Sequence, residues 1–407
     1  MSQTYIKRSL EPVLKKAAAE FPAVVLTGPR QSGKTTLLQH LFSKSHRYVS
    51  LEPPDVRASA IEDPRSFLEL YPPPMIFDEV QYAPDLLPYI KEKIDAERDK
   101  SGQYLLTGSQ NLLLMERVSE SLAGRAAMLR LLPLSQREAE GQPEAPLPWE
   151  TKRSSFKTSK FSYLELWKGF LQGSYPELKA HPKRDVNLWH ASYVQTYLER
   201  DVRTLRQVGD LTQFQSFLRA LAARSAQLLN ITDLARDLGV AVNTAKAWLS
   251  VLEATYQVTV LRPYYENVGK RLVKTPKVYF TDVGTLCYLA GLKDPVHAAS
   301  GPMGGAIMET AVLSEIVKTL TPRGIDPQVY FGRTVAGTEV DIVVEAGAKL
   351  VPIEVKLSAT PRSAMASALK TFQRDFGDKV LEGYVVHPGN ITLPLGSGIT
   401  ALPFSEL

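Results

Sequence analysis

Cysteine is almost missing from this chain. Cys287 is the only one in 407 residues, so no internal disulfide can form and a reducing compartment is expected. Histidine is sparse as well, and its six copies are too scattered to give a zinc-binding spacing. Long apolar runs are lacking: none approaches the ~20 residues needed to span a bilayer. The opening segment MSQTYIKRSLEPVLKKAAAEF has no uninterrupted apolar core of signal-peptide length. These absences predict a cytoplasmic protein with no membrane partner. Neither sign of charge dominates, because 48 Lys and Arg stand against 43 Asp and Glu. The net charge of +5 leaves a mild basic excess, which permits a nucleic-acid partner without requiring one.

What is present is enough for several globular units. The length predicts two to three domains. One stretch organises the rest: GPRQSGKTT, from Gly28 to Thr36. It follows the apolar run Val24-Val25-Leu26 and leads into the apolar-periodic segment Thr35 to Phe42, so the order is strand, glycine loop, helix. Gly28 and Gly33 lack a Cβ, and the backbone between them, through Pro29, Arg30, Gln31 and Ser32, can curl to aim its N–H groups at a polyphosphate. Lys34 is placed to reach the β- and γ-phosphates and the Thr35 hydroxyl to ligate Mg²⁺, with Thr36 beside them. The helix that starts here turns its positive dipole end toward the anion. Every fixed position of G-x-x-x-x-G-K-[ST] is filled, which implies binding of a nucleoside triphosphate, ATP with Mg²⁺.

A second motif fits the first. Three prolines, Pro72 to Pro74, precede Met75-Ile76-Phe77, a short buried strand that ends in Asp78 and Glu79. After a P-loop, the first acid holds the magnesium through water and the second orients or deprotonates the attacking water. The next strand, QYLLTGSQ, ends with Thr107, Ser109 and Gln110. Its tip is expected between the P-loop and the acidic strand, where a γ-phosphate sensor sits. Ser109 and Gln110 are the candidates, and Ser109 serves equally well as the N-cap of the helix that follows.

The motifs GPRQ-x-GKTT, F-DE-x-Q and T-GS-Q…S-LAGR, in this order, resemble those of a prokaryotic group of AAA+ ATPases. The resemblance implies a five-stranded parallel sheet. It also implies that Arg125, just before the fifth strand, is a finger reaching the nucleotide of a neighbouring copy, which would require a homo-oligomer. Pairing of Arg125 with the protein's own acids is the alternative. Gly141 to Lys160, rich in proline and cations, reads as an interdomain linker or exposed loop. The GSYPEL segment from Gly173 resembles the turn that sets the family's helical lid over the nucleotide.

Two further units are expected. Residues 216–278 carry nine Lys or Arg against four Asp or Glu. NITDLARDLGVAVNTAKAWLSVLEAT reads as helix, turn at Gly239, helix, followed by two strands around a basic wing. A winged helix accounts for this order. Asn243, Thr244 and Lys246 would face a DNA groove while Lys270, Arg271 and Lys274 contact phosphates; a protein-packing module is the alternative. Near the C-terminus, period-two alternation puts Glu354 and Lys356 on one strand face, with Asp341 on the neighbouring strand. Two carboxylates and a lysine suit a Mg²⁺ site. The element order and the D-x₁₂-E-x-K spacing resemble the PD-(D/E)XK nucleases. That likeness implies a further metal acid in Glu309; Gln373, on the following helix, is a separate candidate to assist the site. A surface ion pair on a degenerate fold is the alternative.

The expected architecture is therefore α/β. An AAA+ P-loop parallel sheet spans residues 1–140, a linker with helical lid 141–208, a winged helix 209–285, and a restriction-endonuclease-like α/β domain 286–407. The expected function is ATP hydrolysis coupled to DNA, with a possible metal-dependent nuclease activity. The alternatives are a nucleotide-controlled switch or a DNA-remodelling motor whose C-terminal domain binds without cleaving.

Overall fold

Strand β1 (Ala23–Thr27) is the element on which the N-terminal half is built, since all five of its residues are buried. The computed structural model describes residues 5–108, 120–150, 162–198, 211–265, 274–324, 326–333, 337–396 and 398–407. Helix α1 (Glu11–Glu20) precedes the strand and begins where Pro12 fits a first turn, leaving Ile6 outside the helix. Helix α2 (Lys34–Phe42) leaves the glycine loop through Gly33, whose φ of 93° lies in the left-handed region.

Strands β2 (Arg47–Ser50), β3 (Met75–Asp78), β4 (Tyr104–Thr107) and β5 (Ala126–Arg130) complete a five-stranded sheet. Its order is β2-β3-β4-β1-β5 and every pair is parallel. Alternate side chains go to opposite faces: Val25, Phe77, Tyr104 and Leu106 enter one core, while Val24, Leu26, Ile76 and Leu105 enter the other. A parallel register aligns the C-terminal strand ends along one edge. The glycine loop after β1, Asp78 at the end of β3 and Thr107 at the end of β4 therefore sit side by side.

The described part of the expected linker is not an exposed loop. Leu147 is fully buried, the Trp149 ring lies 6.0 Å from that of Tyr384, and Glu150 pairs with Arg323. Its few apolar residues are enough to seat it on the C-terminal domain; residues 151–161 lie outside the described ones. Helix α3 (Tyr163–Gln172) opens with a Ser162–Glu165 capping box and stops at Gly173. A Cβ on Gly173 would come within 2.7 Å of the Asp282 carboxylate, at a φ of +78° that side chains disfavour. Pro176 follows and lies against the glycine loop, 3.8 Å from where a Cβ on Gly33 would sit.

A helical region comes next. Helices α4 (Leu211–Ala222), α5 (Ile231–Asp237) and α6 (Val242–Ala254) pack Phe214, Phe217, Leu234, Trp248 and Leu252 together. Strands β6 (Val258–Leu261) and β7 (Lys277–Phe280) close it as an antiparallel pair. Helix α7 (Val283–Leu289) then leads toward the C-terminal domain.

That domain begins with helix α8 (Gly304–Leu320). Strands β8 (Val329–Arg333), β9 (Glu339–Ala346) and β10 (Lys349–Val355) form an antiparallel meander. Helix α9 (Ser367–Phe376) crosses to β11 (Gly383–His387), which runs parallel to β10. Strands β12 (Leu393–Gly396) and β13 (Ile399–Pro403) extend the mixed sheet to the order β12-β13-β11-β10-β9-β8. Ile342, Val344 and Ile353 pack with Ile307 and Val312 of α8, whereas Val340, Val343 and Val385 pack with Leu369 and Phe372 of α9. The sheet is thus covered by one helix on each face.

Candidate active site

The glycine loop is shaped by what it cannot contain. A Cβ on Gly28 would fall 2.1 Å from the Leu131 carbonyl oxygen, inside any tolerable contact. Gln31 adopts φ 59°, a left-handed conformation unusual for a side-chain residue. Lys34 is buried, and its ammonium donates to the loop carbonyls of Gly28 at 3.1 Å and Pro29 at 3.0 Å. The buried Ser32 hydroxyl has no hydrogen-bond partner among the described residues. A cradle that holds a cation and an unspent hydroxyl matches the donor set a phosphate needs.

Asp78 collects the hydroxyls around it. Thr35 Oγ1 donates to its two oxygens at 2.9 and 3.0 Å, Tyr48 donates to Oδ2 at 2.8 Å, and Thr107 donates to Oδ1. The Thr35–Asp78 pair is where Mg²⁺ would be held, through the hydroxyl and the carboxylate, and the ion would supply charge on the phosphate oxygens. Burial, then the Asp78 charge, pushes the Tyr48 phenol well above its ordinary value, so it stays a donor. Glu79 adopts φ 59°; its N–H donates to Thr107 Oγ1 at 3.2 Å, and its carboxylate accepts from Gln81. Such a strained position next to a phosphate cradle holds a side chain in one direction. Arg30 and Thr36 lie within the same loop and first helical turn.

Sequence reasoning singled out Ser109 and Gln110 for the β4 tip. Both lie outside the described residues. Thr107, two residues earlier, is the described tip residue that touches both acids' backbone or side chains. Tyr48 and Arg8 were not expected. Arg8 is buried and donates to the Ser32 carbonyl at 2.8 Å and the Leu132 carbonyl at 2.6 Å, tying the loop to the chain beyond β5. Only the rarity of buried arginine could have flagged it, and burial is invisible in one sequence. Arg125 pairs with Asp95 of its own chain, at 2.6 and 3.0 Å. It precedes edge strand β5, whose first residue pairs with Ala23, so it lies at the sheet end opposite the glycine loop. It does not reach its own chain's cradle.

The second centre is partly gathered. The β9–β10 register sets Asp341 opposite Glu354, one step beyond the Ile353–Ile342 pair. Asp341 Oδ2 accepts the Val355 N–H at 2.8 Å, and Lys356 donates to Glu354 Oε1 at 2.6 Å. Glu354 is buried, and its Oε2 has no partner among the described residues. Glu309 does not join them as a third ligand. Its Oε1 accepts from Tyr279 at 2.6 Å and from Lys277 at 3.2 Å, and Lys277 also pairs with Glu339 at 2.6 Å. Among the described residues no three His, Cys, Asp or Glu side chains are grouped to hold a metal. Lys277 and Tyr279 come from β7, which the sequence placed in a different unit. Gln373 is spent elsewhere, donating to the Gly398 carbonyl at 2.9 Å.

Of the groups expected to meet DNA, Asn243 and Lys246 are exposed at the start of α6 and Thr244 is half-buried. Lys274 is exposed just before β7; Lys270 and Arg271 lie outside the described residues.

Three family descriptions divide the chain. Residues 20–140 match the AAA domain, residues 164–296 a domain of unknown function (DUF8612), and residues 304–407 another (DUF4143). Along its whole length the chain is similar to two uncharacterized proteins, Rv2008c of Mycobacterium tuberculosis and Mb2031c of Mycobacterium bovis. Each is 31% identical over 408 residues, covering 98% of this chain and 84% of the relative. This chain belongs to their family. Its N-terminal part is thus an AAA-type P-loop ATPase domain, which implies nucleotide binding with Mg²⁺. Among solved structures, the Walker-type ATPase of Pyrococcus abyssi is 15% identical, with a TM-score of 0.46 over 70% of this chain and 96% of its own. The overlap is loose. Among the described residues no helix is long and apolar enough to cross a membrane.

The second centre makes stability depend on pH. Burial, then the neighbouring Asp341 charge, raises the Glu309 and Glu354 carboxyls from 4.5 to about 7. A raised folded-state value favours the protonated form, so this stabilisation is complete below 4.5 and is lost as pH rises through about 7. With a chelator present, the thermal midpoint should fall across that window, and Glu354→Gln should flatten the fall. A wild-type midpoint that rises over the same window would overturn the assignment.

Proposed function

We propose that the protein is an ATP hydrolase that acts on DNA. The observation that carries the first half is the convergence of Lys34, Thr35, Asp78 and Glu79 at one sheet edge, with Thr35 bonded to Asp78. In this reading Lys34 exchanges the loop carbonyls for the β- and γ-phosphates, and Thr35 and Asp78 hold Mg²⁺. Glu79 takes the proton of the attacking water, and Thr107 keeps Glu79 and Asp78 in register. Arg125 acts on a neighbouring copy's nucleotide once its pair with Asp95 opens, which requires a homo-oligomer. The exposed Asp95 partner makes that exchange inexpensive.

The DNA half rests on the order of α4, α5, α6, β6 and β7, which fits a winged helix, with Lys246 and Lys274 exposed upon it. The α8, β8, β9, β10, α9, β11 order fits the PD-(D/E)XK likeness, and the unpartnered Glu354 oxygen supports a Mg²⁺ held by Asp341 and Glu354. Lys356 would then steady a scissile phosphate. A binding-only domain is the second reading, favoured by Lys277: its ammonium already neutralises Glu309 and Glu339.

ATP turnover tests the first assignment. Lys34→Ala should weaken nucleotide binding by about tenfold or more, because a charged hydrogen-bond donor is lost. Glu79→Gln should bind normally and turn over about 100-fold more slowly, the usual contribution of a general base. A Glu79→Gln protein that hydrolyses ATP at the wild-type rate would remove Glu79 from the mechanism.

DNA binding should weaken with salt. Replacing Lys246 and Lys274 by alanine should flatten the log–log slope by about 0.9 for each phosphate that is no longer neutralised. An unchanged slope and affinity would mark the three-helix unit as a packing module.

Cleavage is tested with Mn²⁺, which tolerates imperfect ligand geometry. Nicking of duplex DNA by the wild type, abolished in Glu354→Ala, is the expected result. Metal binding lost in that variant without wild-type nicking would select the binding-only reading, and no metal binding by the wild type would end the metal assignment.

A further inference from the structure

Away from the glycine loop, a cavity of about 660 Å³ opens between several parts of the chain. Its walls are the segment after β5 (134–140), helix α3 with the turn beyond it, residues from 179 to 190, the start of α7 with residues from 288 to 295, helix α8, and Phe404. None of the residues from Gly28 to Thr36 lines it. Phe170, Leu171, Leu292 and Phe404 give it an apolar side.

The polar side is unusual. Lys179 and Lys318 both face the cavity, and neither forms an ion pair among the described residues. Lys318 is buried and donates to the Ser174 hydroxyl at 2.7 Å; Lys179 donates to the Gln172 side-chain oxygen at 2.9 Å. Each ammonium carries three N–H groups, so a single neutral acceptor leaves most of its capacity unspent. The nearby carboxylate is already occupied. Asp282 accepts from Ser174 N at 2.7 Å and Oγ at 2.6 Å, and from Thr285 N at 2.7 Å and Oγ1 at 3.0 Å. Glu315 also lines the space and is buried. Its Oε2 takes the Gln136 N–H at 2.8 Å, and its Oε1 has no partner among the described residues. Burial lowers the pKa of both ammoniums and raises that of Glu315, so all three groups are poorly solvated as they stand. The Asp282 charge acts on both ammoniums, but among the described residues it pairs directly with neither, and an anion in the cavity would give them a direct partner.

We infer that this cavity binds a small organic anion. Its carboxylate or phosphate meets Lys179 and Lys318, a hydroxyl or amide on it donates to Glu315, and its apolar body lies along Phe170 and Leu292. The site is independent of the nucleotide cradle. Because its walls come from both the P-loop domain and the C-terminal helix α8, the ligand would bridge the two.

The probe is anilinonaphthalene sulfonate, an aromatic anion whose fluorescence rises in apolar surroundings, titrated into the full chain. Saturable binding is expected, displaced by octanoate or octyl phosphate and not by octylamine. The stronger of the two displacing anions distinguishes a carboxylate ligand from a phosphate. Lys318→Gln and Lys179→Gln should each weaken binding by about tenfold, and Lys318→Arg should restore most of it. If Lys318→Gln does not fold, judged by its thermal transition, Lys179→Gln at the cavity margin decides alone. Absence of saturable binding, displacement by octylamine as readily as by octanoate, or unchanged affinity in Lys179→Gln would overturn the proposal.

Discussion

The carboxylate of Asp282 holds the molecule's parts in one arrangement. It is buried, and four donors on Ser174 and Thr285 satisfy it. Burial pushes its pKa up, but the charges of His190 and Lys318 and these donors outweigh that and hold the group ionised. A buried carboxylate so fully bonded is costly to disturb from either side. One side is the turn after α3, which touches the glycine loop through Pro176. The other is the N-cap of α7, which leads to the C-terminal domain. Gly173 and Gly284 are required there, because a Cβ on the first would strike Asp282 and a Cβ on the second would strike Gly173. The turn after α3 and the C-terminal half therefore meet through charge and glycine backbone.

How much of this was legible depended on whether the chemistry was local. The P-loop is a contiguous string whose glycines, lysine and threonine act on one another within a few residues, so its shape could be read directly. The parallel sheet was implied by the resemblance that the ordered motifs carry, and the five strands pair as it implied. Period two put Glu354 and Lys356 on one strand face with Asp341 on the neighbouring strand; the facing of Asp341 and Glu354 came only with the β9–β10 register. What escaped were interactions made across long sequence distances. Tyr48 reaches Asp78 from the neighbouring strand, and Arg8 reaches Ser32 from before α1. The proline-rich look of residues 141–150 concealed the buried Leu147 and the half-buried Trp149, whose ring meets Tyr384 more than two hundred residues away in the chain. Glu309 sat at the right place on its helix but took its partners from β7.

The β7 strand also alters how the C-terminal centre is understood. Lys274 lies exposed just before β7, and Lys277, three residues on, is buried between Glu309 and Glu339. Although burial opposes it, those two carboxylates raise the Lys277 ammonium's value, so it stays charged. A fixed cation inside an acidic centre does part of the work a metal would do there: it lowers repulsion among Glu309, Asp341 and Glu339 without needing an ion from solution. It also makes the centre sensitive to the position of β7. β7 thus carries a fixed counter-charge from the helical region in among the buried acids of the C-terminal centre.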